Sequence, residues 1–297
     1  MRRIGFIGAG NIGRPMAERL MERGFDLLLC DINPATREAF AALGARVTAK
    51  AADCAAEDAV ILMVANDDQL TSALFAEGGL FDAVAADAPP LVLVMSTVMP
   101  ESVQAAADTL RTKGARVVDA PVSGGAVRAR RGQLSIMTGG DDEDIAAAQP
   151  ILDALADVVH RCGAVGAGQV TKIINNLVGV TNLFLFAEAM QIGERLGLDL
   201  SRLAAIMEVS SGRNNGTRDW EERKALYRWN AATPETMRAI VEVTRKDLRN
   251  AVALAQRAQV SAPMLDGAAA AHAAAASDGI LARWRELGGM DQEKKTP

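Results

Sequence analysis

Along the first half of the chain, short apolar runs alternate with segments of helical length. Ile4–Gly8, Leu27–Asp31, Ala59–Val64, Leu91–Ser96 and Arg116–Asp119 read as strands, each four to six residues long and bounded by turn or polar residues. The stretches between them are rich in Ala, Leu, Glu and Arg, and the alternation predicts a parallel sheet with helices on its faces. Leu134–Thr138 and Val158–Cys162 would finish the sheet, with Asp141–Leu155 as a helix between them. Beyond Gly163 no alternating strand pattern remains. Val170–Leu196, Ser201–Val209, Glu235–Arg257 and Met264–Leu287 all carry helical periodicity, the first over an unusual length. Gly163, Gly166 and Gly168 interrupt the pattern just before that long helix. The expected fold class is therefore α/β over residues 1–163, followed by an all-α domain over 164–297 that begins with the long helix.

Composition narrows the classes. A chain of 297 residues with 49% hydrophobic and 23% charged positions suits two globular domains and excludes disordered or fibrous protein. The longest uninterrupted apolar runs, Ala59–Ala65 and Leu91–Met95, are strand-sized and far below the roughly 18–20 residues of a membrane span. Met1-Arg2-Arg3 before Ile4–Ile7 resembles the start of a signal peptide, but Gly8, Gly10 and Asn11 end the apolar stretch too early. Cys30, Cys54 and Cys162 have neither CxxC nor Cys/His spacing, so no disulfide framework, no zinc or other metal site and a cytoplasmic location are expected. A net charge of −5 argues against nucleic acid as the main partner, and a small molecule is expected instead.

Gly8-Ala9-Gly10-Asn11-Ile12-Gly13 follows a predicted strand and opens a helical pattern, the setting that a GxGxxG dinucleotide-binding turn requires. Gly8 allows the tight turn, Gly10 a close approach to pyrophosphate, and Gly13 close packing of helix on strand, with the phosphates at the helix N-terminus. Asp31 ends the second strand 23 residues after Gly8, where a carboxylate reads the ribose 2′-hydroxyl and repels a 2′-phosphate. NAD is thereby favoured over NADP, with Arg37 as the one nearby residue able to reach a phosphate.

Four stretches resemble the β-hydroxyacid dehydrogenase family, which includes 3-hydroxyisobutyrate dehydrogenase, tartronate semialdehyde reductase and L-threonate dehydrogenase: Gly8–Leu20 (GAGNIGRPMAERL), Asp119–Gly140 (DAPVSGGAVRARRGQLSIMTGG), Gly168–Asn176 (GQVTKIINN) and Lys246-Asp247-Leu248. The resemblance implies a Rossmann-type doubly wound domain that binds NAD and a helical domain that serves substrate binding and oligomerisation. It makes Ser123, Gly124 and Gly125 ligands of a substrate carboxylate, Asn176 a substrate ligand, and Lys172 the catalytic residue that takes the hydroxyl proton as hydride leaves the carbinol carbon. Burial disfavours the charged form of a lysine and so suits it to that task; neither His160 nor His272 lies beside a motif. The resemblance also places Gly8, Gly10, Asn11, Ile12, Gly13, Asp31, Ala65, Asn66, Thr97 and Lys246 on the cofactor. Ala65 stands where many relatives carry proline, so contact there is expected through the backbone. Arg128 stands where many relatives have glycine; it is either part of a solvated basic loop with Arg130 and Arg131 or an extra recogniser of a polyhydroxylated or acidic substrate. Arg213 and Asn214 are further candidate selectors. The expected function is NAD-dependent hydride transfer on a 3-hydroxyisobutyrate-, glycerate- or threonate-like acid, in a homodimer or homotetramer. Three alternatives stand beside it. An imine reductase of the same architecture is disfavoured by the pair Lys172 and Asn176, a decarboxylating sugar-phosphate dehydrogenase by the short helical domain, and a non-catalytic chromatin-associated reader by the lysine and the acidic charge.

Overall fold

A computed structural model describes residues 2–290, and the chain divides into two compact units, Met1–Lys172 and Ile173–Pro297. Among the described residues the first unit holds nine strands: β1 (Arg3–Ile7), β2 (Asp26–Cys30), β3 (Arg46–Thr48), β4 (Ala59–Leu62), β5 (Leu91–Val94), β6 (Arg116–Asp119), β7 (Val122–Ser123), β8 (Leu134–Gly139) and β9 (Ala156–Gly163). They form one sheet in the order β3-β2-β1-β4-β5-β6-β8-β7, with β9 on β8. Strands β1 to β6 pair in parallel. The order reverses between β1 and β4, the switch point at which doubly wound sheets take their ligands. Between β6 and β8 the chain turns back, so β8 runs antiparallel to β6 and β7 and β9 runs parallel to β8. Strands β3 and β7 fall outside the expected set because three and two residues carry no periodicity.

The helices of this unit are α1 (Gly13–Glu22), α2 (Pro34–Ala42), α3 (Asp67–Phe75), α4 (Leu80–Ala83), α5 (Pro100–Arg111), α6 (Gly125–Arg131) and α7 (Asp142–Leu155), followed by the start of α8 (Ala167–Arg195). Successive strand residues point to opposite faces, which gives the sheet two cores. Ile4, Phe6, Leu29, Ile61 and Leu93 pack with Met16 and Leu20 of α1 and Ile151 of α7. Ile7, Leu28, Leu62 and Val94 pack with Leu74 of α3 and Leu110 of α5.

The second unit contains the rest of α8 with α9 (Leu200–Glu208), α10 (Trp220–Asn230), α11 (Pro234–Arg257), α12 (Pro263–Ala274) and α13 (Ser277–Leu287). Its core is aromatic and aliphatic, built on Phe186, Met190, Trp220, Tyr227, Val241 and Trp284. The single helix expected over Met264–Leu287 is instead two, because Ala275 and Ala276 are extended. Arg245 of α11 donates to the Ala273 and Ala275 carbonyls and so satisfies acceptors that the break leaves open. By length and composition, α8 is the one described helix apolar enough to cross a membrane, with a mean hydropathy of 1.4 over its best window. The expectation drawn from uninterrupted runs did not single out this helix, because polar residues such as Lys172, Asn175, Asn176 and Asn182 interrupt it. The core helix of a globular protein meets the same measure.

Candidate active site

The turn from β1 to α1 is shaped by sterics. Gly8 has φ 93°, and a Cβ there would lie 2.5 Å from the Met63 carbonyl oxygen. A Cβ on Gly13 would lie 2.3 Å from the Gly8 oxygen, whereas one on Gly10 would meet nothing within 4 Å. Gly8 and Gly13 are thus required by the protein's own packing, while Gly10 borders open space beside the helix N-terminus, the space a pyrophosphate needs. Asn11 and Ile12 complete the turn, with Ile12 as the residue before α1. At the end of β2, the Ala9 N–H donates to Asp31 Oδ2 at 2.8 Å and the Asn33 N–H donates to Oδ1 at 2.8 Å. Each carboxylate oxygen therefore keeps acceptor capacity for a ribose hydroxyl. Arg37 donates to the Asp31 carbonyl at 2.6 Å, so its guanidinium lies beside the same corner. The residues present fit a dinucleotide.

The other strand ends at this edge are latched together. Ser96 Oγ accepts the Val64 N–H at 2.7 Å and donates to the Leu62 carbonyl at 3.3 Å, joining the end of β5 to that of β4. Ala65 is exposed, and its N–H donates to Gln69, while the Asn66 side chain caps α3 by accepting the Gln69 N–H. Thr97 is half-buried between Ser96 and Val98. After β6 the chain reaches Ser123, half-buried on β7, then Gly124 at φ 138° and Gly125 at φ 70°. Those dihedrals strain any residue with a Cβ. Arg128 is exposed; its Nε donates to the Gln133 carbonyl at 2.7 Å and its guanidinium stands 3.7 Å from Asp157. Arg128 is therefore held by its own loop and by β9.

Asp119 closes β6 and is fully buried. Its carboxylate accepts the Gly166 N–H on one oxygen and the Gln169 N–H on the other, both at 2.9 Å. These donors lie just before and in the first turn of α8, so Asp119 ties the helix start to the sheet. Burial pushes its carboxyl up to about 6, against the pull of these N–H groups. Gln169, also fully buried, accepts the Val98 N–H at 3.1 Å and donates to the Ser96 carbonyl at 2.9 Å. Lys172 follows on the next turn of α8 and is 7% exposed, rare for a lysine. The structure thus brings Lys172, Thr97, Ser123 and the glycine turn to one unit, at the carboxyl edge of one sheet.

In the second unit, Asn176 of α8 donates to Asp247 Oδ2 of α11 at 2.8 Å, and Asp247 Oδ1 stands 3.4 Å from the Lys246 ammonium. Asp247 is buried. Arg213 pairs with Glu208 at 3.0 Å, and Asn214 is spent on a local turn through Gly212 and Gly216. Asp119, Gln169 and Asp247 were not among the expected site residues. All three lie inside the motif stretches, but their signal, a buried polar side chain with backbone or cross-helix partners, exists only in three dimensions. Among the described residues no group of His, Cys, Asp and Glu is placed to hold a metal ion.

Comparison with known proteins supplies the relatives. The family described as the NAD binding domain of 6-phosphogluconate dehydrogenase matches residues 3–166, and that described as NAD-binding of NADP-dependent 3-hydroxyisobutyrate dehydrogenase matches residues 166–283. The mitochondrial 3-hydroxyisobutyrate dehydrogenase of Bos taurus is 40% identical over 71% of this chain, and the match spans 62% of that enzyme's length. The 3-hydroxyisobutyrate dehydrogenase of Pseudomonas aeruginosa is 34% identical over 89% of both chains. Among solved structures, the Mycobacterium tuberculosis 3-hydroxyisobutyrate dehydrogenase with L-serine is 27% identical, with a TM-score of 0.78 over 97% of this chain and 99% of its own. The glycine turn, the Ser-Gly-Gly turn and the buried lysine thus stand in a chain matched along most of its length, which belongs to the β-hydroxyacid dehydrogenase family.

Proposed function

We propose that the chain is an NAD-dependent dehydrogenase of short hydroxy carboxylic acids. The observation that carries this reading is Lys172: a buried amine one turn into a helix whose start is fastened to the carboxyl edge of a dinucleotide-type sheet. Bound nicotinamide would supply the hydride acceptor. Gly8, Gly10, Asn11, Ile12 and Gly13 hold the pyrophosphate, Asp31 the adenosine ribose, and Thr97 with the Ala65–Asn66 backbone and Lys246 the rest of the cofactor. Ser123, Gly124 and Gly125 receive the substrate carboxylate, and the amine of Lys172 takes the hydroxyl proton and returns it in the reverse direction; Asn176, in the second unit, has the substrate-binding role that the family motif implies. Arg128, tied to the Gln133 carbonyl and to Asp157, would have to leave those partners to meet a longer or second acidic group. What supports NAD over NADP is the Asp31 carboxylate after β2, which would repel a 2′-phosphate brought to it. The chain is also proposed to assemble as a homodimer or homotetramer, on the support of an exposed apolar seam along α8: Ile174, Val178, Leu185, Ile192 and Leu196.

The test is NADH formation from NAD, with NADP in parallel, across 3-hydroxyisobutyrate, L-serine, glycerate and L-threonate. L-serine is included because the mycobacterial relative was solved with it. The expected result is turnover of at least one acid with NAD, lowered about 10²–10⁴-fold in Lys172→Ala while NADH still binds, the scale of a removed general base. Undiminished turnover by Lys172→Ala would overturn the mechanism. Turnover of cyclic imines with none of the acids would reassign the reaction.

A further inference from the structure

Gln169 is fully buried on the first turn of α8 and uses both ends of its carboxamide on the two peptide groups that flank Thr97. The Val98 N–H donates to Oε1, and Nε2 donates to the Ser96 carbonyl. Thr97 is therefore gripped on either side by one side chain, much as a neighbouring strand would grip it. Ser96 passes the restraint on to Leu62 and Val64 at the end of β4. Asp119 fixes the other side of the same residue by accepting the Gln169 N–H, and Lys172 lies three residues on, on the neighbouring turn. A Cβ on Gly168 would sit 2.4 Å from the Met137 oxygen and 2.7 Å from Asp119 Oδ2, so the helix start has no room to slide.

We propose that Gln169 is a positioning residue: its carboxamide holds the Ser96–Val98 segment and the first turn of α8 in one frame, so that the group presented to the nicotinamide ribose and the amine of Lys172 keep a fixed separation. The roles of Thr97 and Lys172 in this clamp rest on the function proposed for the chain. The clamp needs one donor and one acceptor at this reach. Leucine supplies neither, and ionised glutamate supplies only acceptors, one of which would face the Ser96 carbonyl. Protonated glutamate restores one of each.

The full chain and its Gln169→Leu and Gln169→Glu variants would be compared by amide exchange at Val98 against the β1 amides, by NADH fluorescence titration, and by kcat and KM against pH. In Gln169→Leu, exchange at Val98 accelerates about 10–100-fold relative to β1, the scale of a lost buried hydrogen bond. Per NADH-binding site, kcat falls about 10–100-fold at every pH, with KM for the acid changed much less, as misplacement of a reacting group demands. In Gln169→Glu the same loss appears at high pH, and kcat relative to wild type recovers as pH falls. The titrating groups facing position 169 are Asp119 from β6, Asp67 of α3 through Met99, and Lys172 on its own helix; dividing by the wild-type profile removes their contribution. A wild-type kcat per binding site in Gln169→Leu, or a Gln169→Glu profile parallel to that of Gln169→Leu, would overturn the proposal. If the wild-type protein turns over none of the acids, the functional reading fails by itself and exchange at Val98 decides the clamp: local acceleration upholds it, and unchanged exchange refutes it.

Discussion

Asp31 and Asp119 show how differently two strand-ending carboxylates are used. Asp31 stays half-exposed, with acceptor capacity on both oxygens. Asp31→Ala is expected to weaken NADH binding about 10–100-fold, the scale of hydrogen bonds to a charged acceptor, and to narrow the gap between NADH and NADPH; equal loss for both cofactors in a titration would contradict its role in selection. Asp119 is wholly inside, and burial raises its carboxyl from 3.8 to about 6. A carboxyl raised by folding favours the folded state in its protonated form, so this contribution is complete below about pH 4 and is lost as pH rises through about 6. Urea midpoints measured across that window should fall more steeply with rising pH in wild type than in Asp119→Asn; parallel curves would refute the assignment. Asp31 was legible from its distance to the glycine turn. The work of Asp119 was not, because its motif position says nothing of the N–H groups that meet it.

At the scale of elements, glycines that the fold needs can be told from those it does not, and Gly10 is among the latter. Gly168→Ala would push a methyl against the Met137 carbonyl and the Asp119 carboxylate, and overpacking of that kind costs about 1–3 kcal/mol, visible as a Tm several degrees lower. Gly10→Ala meets no protein atom within 4 Å, so Tm should hold while NADH affinity falls; a drop in Tm with affinity intact would show that Gly10 serves the fold instead. The strands β1, β2, β4, β5 and β6 could be read from their apolar runs because each is buried on both faces. The helix α10 could not, since only Trp220, Arg223, Tyr227 and Asn230 are buried along its polar length, a stripe too narrow and too polar to announce itself. The break between α12 and α13 was hidden in an alanine tract without a turn residue, and Arg245 from another helix makes it tolerable.

For the molecule as a whole, the seam on α8 bears on assembly. Leu185 and Ile192 are 60% and 62% exposed, one heptad apart, in line with Ile174, Val178 and Leu196. If the chain assembles as proposed, Leu185→Glu with Ile192→Glu should lower its mass by light scattering to that of a monomer while the circular dichroism of the helices stays unchanged; an oligomeric mass in both proteins would place the interface elsewhere. By itself the sequence determined the α/β-then-α order, the glycine turn with its acid, and the family motifs, since these rest on short-range periodicity, backbone sterics and fixed spacing. Tertiary structure alone decided which polar side chains the interior keeps: Gln169 meets Val98 across 71 residues, Asp119 meets Gln169 across 50, and Asn176 meets Asp247 across 71. Nothing local marks such partners, because a buried carboxylate or amide is stabilised by whichever donors and acceptors the packing of distant segments delivers to it.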